Sequence, residues 1–343
     1  MKRVAVIGAG IAGLAAAAGL QSTGHAVTLL EKSRGAGGRC ATRRSAAGSF
    51  NHGAPGFAAT TAAFCGTAMQ WRDAGWAAVE GAAGASSFDE ANAFQAFGLP
   101  SMNSLAQHLA AELAAGVDLR FNTHVSSIEL APDVAMDHAW RLRLIDGQLD
   151  ANRFNAVVVA VPAEQAAVLL DPDAALADAM RTTLSDPCWT VMAAWSQQTP
   201  TLRSRYHGTD PLGALSLACC DDTRRVRTDA ADTSCRWVLH ATPAWTFDHL
   251  EAAPAEVITK LLRAFAEKCG VDLGIPVHSA AHRWRYAQVQ TPRAEPFGWN
   301  ASLRLGACGD AWHGASTPPR QRADGIERAW LSGRALAQQM ARE

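Results

Sequence analysis

The sequence predicts an α/β fold with a parallel sheet, and three features near its start predict it. Arg3–Ile7 (RVAVI) is a short apolar run. Gly8-Ala9-Gly10-Ile11-Ala12-Gly13 follows at once and opens a helical pattern that continues through Thr23. Ala26–Leu30 (AVTLL) is a second apolar run, closed by Glu31. Parallel strands, buried on both faces, read as short apolar runs of this kind. The 343 residues leave room for one large α/β domain or two intertwined ones.

Each part of this opening has a physical task. Gly8 permits the tight turn, Gly10 lets the backbone approach a pyrophosphate, and Gly13 lets the helix lie close to the strand. Ile11 and Ala12 begin the helix, whose free N–H groups and positive dipole end suit phosphates. Leu14, Ala17, Ala18 and Leu20 can face a sheet, and Gly24 suits the residue after the helix. Glu31 lies 18 residues after Gly13, placed to accept from ribose hydroxyls, with Lys32 and Ser33 next. The order of strand, glycines, helix, strand and acid predicts a dinucleotide site.

Bulk properties narrow the partners. The formal net charge of −1 gives no electrostatic support to a nucleic-acid partner. Val4 to Leu30 lacks Asp, Glu, Lys and Arg after Lys2-Arg3, which resembles a signal peptide or a span. Glycines at 8, 10, 13, 19 and 24 interrupt it, so neither export nor a membrane is expected. The eight cysteines contain no CxxC pair, so neither a disulfide framework nor a zinc or other metal site is expected. Reduced thiols in a cytoplasm are the expectation.

Which dinucleotide is indicated by Gly35-Ala36-Gly37-Gly38-Arg39, immediately after the second strand. Such a run cannot be helix interior. Its backbone can pass close to a ligand, and Arg39 adds a guanidinium near the same phosphates. Arg43 and Arg44 read as a phosphate brace or as plain surface. GxGxxG, then a glutamate at the strand end, then GxGGR resembles the flavin amine oxidase superfamily, which includes monoamine and polyamine oxidases, phytoene desaturases, protoporphyrinogen oxidase and the renalases. EKSRGAGGRCATRR (31–44), DPCWTVMAAW (186–195), WVLHATPAW (237–245), AHRWRYAQ (281–288), LGACGDAW (305–312) and IERAWLSGRALA (326–337) are similar, in order and spacing, to bacterial renalase-like oxidoreductases.

The resemblance implies a Rossmann-type FAD-binding domain of the amine oxidase and p-hydroxybenzoate hydroxylase kind, carrying an inserted α+β substrate domain on an antiparallel sheet. Residues 1–74, 101–162 and 282–343 form the first in this reading, and 75–100 with 163–281 the second. The cofactor is expected to be FAD, held non-covalently, with the GGR segment (Gly38, Arg39) along the pyrophosphate and ribityl chain. The family loop D-x-G-A-Q-Y-F reads Asn51-His52-Gly53-Ala54-Pro55-Gly56-Phe57 here, keeping Gly53 and Ala54 but putting Pro55 and Gly56 where relatives carry glutamine and tyrosine. Relatives also place the residues matching Val125, Ala160 and Pro162 against the cofactor. The loop after Asp310 is longer by Ser316–Asp324 (STPPRQRAD).

Elsewhere the patterns read as a helix over Ser101–Ala115 and strands over Val117–Phe121, Val125–Leu130, Trp140–Ile145 and Phe154–Val161. Arg304–Ala307 leads into Cys308-Gly309-Asp310, where a carboxylate suits the ribityl hydroxyls or a simple turn. Asp324-Gly325-Ile326-Glu327 fits a capping box, which would point a helix N-terminus at the flavin pyrimidine.

No catalytic residue stands out. Lysine is scarce (Lys2, Lys32, Lys260, Lys268), and none has the setting of the lysine by which monoamine- and polyamine-type oxidases hold a water, which disfavours a conventional amine oxidase. His240, His282, Trp284 and Tyr286 are the substrate-side candidates. Alternation sends His282 and Trp284 to one face of a strand and Arg283 to the other. His240 reads equally as structural or functional, and each tryptophan as core or pocket wall. The resemblance implies oxidation of a small planar substrate, such as isomeric dihydronicotinamide forms of NAD(P)H, with hydride passing to FAD and then to O2. An amine or biosynthetic-intermediate oxidase, a non-redox flavoenzyme such as a sugar mutase using Arg203, Arg205, Arg224, Arg225 and Arg227, and a flavin-binding protein without turnover remain open.

Overall fold

The computed structural model describes residues 1–80, 93–131, 140–196, 202–221, 235–312 and 325–343. A six-stranded sheet organises the first part of the molecule. Its order is Gly298–Asn300, Leu305–Ala307, Ala156–Val159, Arg3–Ile7, Ala26–Leu30 and Val117–Arg120. The last five run parallel and Gly298–Asn300 pairs antiparallel at the edge. Val4 sits opposite both Val27 and Ala156, and Leu29 opposite Leu119.

Period-two alternation divides this sheet between two cores. Val4, Val6, Val27, Leu29 and Val158 pack with helices Ile11–Ser22, Met102–Leu113 and Gly325–Met340. Ala5, Ile7, Leu30, Val157 and Val159 pack on the other side with helices Ala163–Leu169 and Ala174–Arg181 and with the ribbon Val125–Leu130/Trp140–Leu144. The first and last helices touch almost backbone to backbone: a Cβ on Gly333 would stand 2.2 Å from the Ala12 carbonyl oxygen.

The second sheet is antiparallel, in the order Arg205–His207, Leu215–Cys220, Cys235–Ala241, Ser185–Trp195 and His278–Val289. Helix Pro254–Cys269 covers one face, burying Val257, Leu261 and Phe265 against Trp237, Leu239 and Val191. The other face carries Met192, Ala194 and Val238 onto Phe50, and so looks toward the first part of the chain.

These cores cut the chain differently from the sequence-based limits. Ala77–Glu80 and Phe94–Gly98 form a three-stranded sheet with Phe57–Ala59, and Ala77 and Ala96 lie in the same core as the first helix. Helices Ala163–Leu169 and Ala174–Arg181 cover the parallel sheet, since their apolar stripes of Ala163, Ala166, Leu169 and Met180 are buried in one core with its strands.

Candidate functional site

The glycine turn closes as its sequence requires. Gly8 adopts φ +107, where a Cβ would stand 2.5 Å from the Ala160 carbonyl oxygen, and one on Gly13 would stand 1.9 Å from that of Gly8. A Cβ on Gly10 would meet nothing within 4 Å, so open space lies beside the helix start. No side chain caps that helix, and its first turn, with Ile11 and Ala12, holds no acid. An anion is the natural partner of such an end.

Glu31 is buried and braces the turn. Its Oε2 accepts from Ala9 N–H at 2.8 Å and its Oε1 from Ser33 N–H at 2.8 Å. A carboxylate accepts about four hydrogen bonds, so capacity remains for a ribose. Lys32 and Ser33 are exposed beside it.

The second glycine cluster lies on the first. Gly37 N–H donates to Ala9 O at 3.0 Å, and the Gly38 Cβ position is 3.4 Å from Gly10 Cα. The loop after Phe50 closes on the same segment: Ala54 N–H donates to Arg39 O at 2.9 Å, and a Cβ on Gly53 would stand 2.0 Å from that oxygen. Arg39 reaches across 271 residues to Asp310 in a two-pronged ion pair, 2.7 and 2.6 Å. Burial works against the Arg39 charge, but the facing carboxylate outweighs it and raises its pKa. Arg328 Nε donates to Asp310 O at 2.9 Å, Ser332 holds Gly309 N–H, and a Cβ on Gly325 would stand 3.7 Å from the Asp310 carboxylate. Ala160 follows the central strand, Pro162 precedes its helix, Val125 packs with Leu30, and Ile326 is buried near the last helix start. Apart from Val125, these residues gather at the carboxyl ends of the parallel strands, the usual ligand crevice of such sheets.

The antiparallel sheet turns a row of histidines toward this crevice. His240, Thr190 and His282 stand opposite one another on three adjacent strands and so share a face, with Cys188 and Trp284 in the next row. His52, two residues before Ala54, meets that face. Its ring is 4.9 Å from His282 and 5.1 Å from Trp284, whose indole N–H donates to His52 O at 2.9 Å. Burial pushes the His52 pKa down to about 4, with His282 and Arg43 adding to it and the Phe50 carbonyl opposing. Burial alone pushes His240 down to about 4, and His282 is lowered by burial and by Arg43. All three rings are therefore neutral at neutral pH, while Arg236, opposite Ala194, brings a positive charge to the same face. Arg283 points the other way, to Trp189 and Glu251. Tyr286 falls in a bulge: Asp186 pairs with Gln288 but Cys188 with Trp284, so residues 285–287 oppose Pro187, which offers no ladder donor.

Residues 6–92 match the NAD(P)-binding Rossmann-like domain, and residues 81–341 match the model described as flavin containing amine oxidoreductase. The chain belongs to the flavin-containing amine oxidoreductase family. Similar solved structures share its fold from end to end. A provisionally assigned protoporphyrinogen oxidase from Exiguobacterium sp. 255-15 is 14% identical, with TM-score 0.72 over 99% of this chain and 98% of that one. Putrescine oxidase bound to putrescine is 12% identical, with TM-score 0.68 over 100% and 99%. Cyclohexylamine oxidase from Brevibacterium oxydans IH-35A is 12% identical, with TM-score 0.66 over 99% of each.

A flavin is the cofactor of this family, and this oxidoreductase has a place to fit one: the space beside Gly10 faces an uncapped helix start and the buried Glu31. His52 was absent from the sequence candidates, since it is its contacts with His282 and Trp284, more than 200 residues away, that reveal it. Glu327 departs from the expected capping box. Its carboxylate accepts from the N–H and hydroxyl groups of Thr60 and Thr61, 2.6 to 3.1 Å, while Asp324, the loop 316–324 and Arg224, Arg225 and Arg227 lie outside the described residues.

Proposed function

We propose that this oxidoreductase holds FAD non-covalently and oxidises a small, planar, uncharged or anionic reduced substrate of the dihydronicotinamide class, with O2 as final acceptor. Bound there, the flavin would supply a two-electron acceptor for the hydride of the substrate ring, and O2 with one further proton from solvent would carry the electrons off as hydrogen peroxide. Gly10 to Gly13 and Glu31 are assigned to the adenosine diphosphate part, Gly38 and Arg39 to the pyrophosphate, and Asp310 to the ribityl chain. The start of helix Gly325–Met340 is assigned to the pyrimidine end of the ring. Cys40 and Cys308 are buried, and burial pushes the Cys308 thiol up to about 12, which disfavours a covalent link.

The histidine face carries the substrate reading. His52, His240 and His282 are neutral, Arg43 adds positive potential, and the four lysines lie elsewhere. Lys260 pairs with Glu256 on the helix covering the opposite face. Asp221, the buried acid beside this face, accepts from the backbone N–H and side-chain amide of Asn51 instead of facing a cationic amine. A dihydropyridine needs no general base, because oxidation makes its ring aromatic, and Trp284, with the His282 ring set at 70° to it, offers an aromatic wall.

Anaerobic mixing of the flavin-loaded protein with NADH containing its dihydronicotinamide isomers tests this. Bleaching of the flavin band that recovers on admitting air is expected. Bleaching by amines instead of dihydropyridines would transfer the assignment to an amine oxidase, and no bleaching by any dihydropyridine would end it.

A further inference from the structure

The hydrogen-bonding state of His240 is set by its neighbours. Thr190 is fully buried, and its hydroxyl lies 3.4 Å from His240 Nδ1 and 3.9 Å from Cys188 Sγ. A buried hydroxyl must donate, and a ring nitrogen is a much better acceptor than sulfur. The Cys188 thiol, pushed up to about 11 by burial, stays protonated and has the Trp189 and Ala241 carbonyls at 3.4 and 3.6 Å as acceptors. With the Cys188 Sγ also 3.9 Å from Nδ1, these neighbours favour the tautomer in which Nδ1 of His240 accepts and the ring proton sits on Nε2. That Nε2 is shut off from water and has no hydrogen-bond partner among the described residues. An unpaired buried donor keeps its whole desolvation penalty. It lies on the face that meets His52, whose Nδ1 is a second unpaired ring nitrogen.

We propose that His240 is a substrate-binding residue whose Nε2–H donates to a carbonyl oxygen carried by the planar substrate, with Thr190 as the positioning residue that fixes its tautomer. This rests on the function proposed above and narrows it to ring compounds bearing an amide or similar carbonyl. An ammonium group, which has only donors, would meet the Nε2 donor head-on. The carbonyl loses electron density as the ring becomes a pyridinium. The contact thus holds substrate more tightly than product, and it acts on binding more than on the rate of transfer.

The experiment uses the flavin-loaded protein under anaerobic conditions. Flavin reduction is followed against the concentration of N-methyl-1,6-dihydronicotinamide and of its nitrile counterpart, whose linear nitrogen cannot take the same contact. His240→Leu and Thr190→Val should each raise the half-saturating amide concentration about five- to tenfold, leave the limiting rate within about twofold, and leave the nitrile unchanged. His240→Gln, which keeps a donor near Nε2, and Thr190→Ser, which keeps the hydroxyl, should restore most of the loss. Equal losses for amide and nitrile, a loss confined to the limiting rate, or an unaffected amide would overturn the assignment. Should no dihydropyridine reduce the flavin, the functional reading fails by itself. The His240 contact is then decided by titrating benzamide and benzonitrile into the loaded protein and reading the flavin spectrum. A preference for benzamide that disappears in His240→Leu sustains it, and no preference in the unaltered protein refutes it.

Discussion

Arg39 and Asp310 come from opposite ends of the chain, yet they form a two-pronged ion pair between the second glycine cluster and the end of the Leu305–Ala307 strand. The perturbation is a double-mutant cycle of Arg39→Met and Asp310→Asn. Removing one partner of a fully buried pair costs about 3–5 kcal/mol. Asp310 is 8% exposed but Arg39 is 29% exposed, so solvent softens the loss, and the helix start at Gly325, whose Cβ position is 3.7 Å from the carboxylate, faces the charge left behind. Each single variant should therefore lose about 2–3 kcal/mol, and the double variant little more than either, a coupling of about 2 kcal/mol. Urea unfolding of the flavin-free protein, followed by tryptophan fluorescence, reads both losses and coupling without any turnover. Single-variant losses that add to the double-variant value within about 0.5 kcal/mol would refute the pairing and leave two independent side chains.

Gly13→Ala places a Cβ 1.9 Å from the Gly8 carbonyl oxygen, so the variant should lose about 1–3 kcal/mol and purify with little flavin, read from the ratio of visible to ultraviolet absorbance. Glu327→Gln turns an amide N–H toward the N–H and hydroxyl groups of Thr60 and Thr61, and should lose about 2–4 kcal/mol in denaturant unfolding. His52 and His240 sit near 4 when folded, against about 6.5 unfolded, so the unfolded chain binds more protons between those values. Stability should fall as pH drops from about 6.5 toward 4, by at most roughly 3 kcal/mol per histidine, and replacing either with Asn should flatten that slope in melts across the range. Lys260→Ala, on the helix over the far face, should leave flavin reduction unchanged, and a large loss would show that this lysine reaches the site.

The parts of the site that were legible in the sequence are those whose cause is local. Gly8, Gly10 and Gly13 are required by one turn, and Glu31 by the strand that ends beside it, so spacing alone places them. Parity likewise separated His282 and Trp284 from Arg283, because a strand alternates whatever lies around it. Parity does not say which face meets the crevice: Trp189 and Trp237 were indistinguishable from Trp284 in composition, and only the helix Pro254–Cys269 makes them core.

Contacts made across the chain had no such signal. Glu327 sits three residues after Asp324 and so fitted a local cap, yet its carboxylate is used by Thr60 and Thr61, more than 260 residues earlier. His52 lay in a loop noted for its missing glutamine and tyrosine, and the side chain that joins the site comes three residues before them. Arg39 and Asp310 were each read as ligands of a cofactor, one for its phosphates and one for its ribityl hydroxyls. Their pairing means that neither charge has to be brought in with the flavin. Each buried charge already has its counter-ion within the chain, which removes the penalty of leaving either one unpaired.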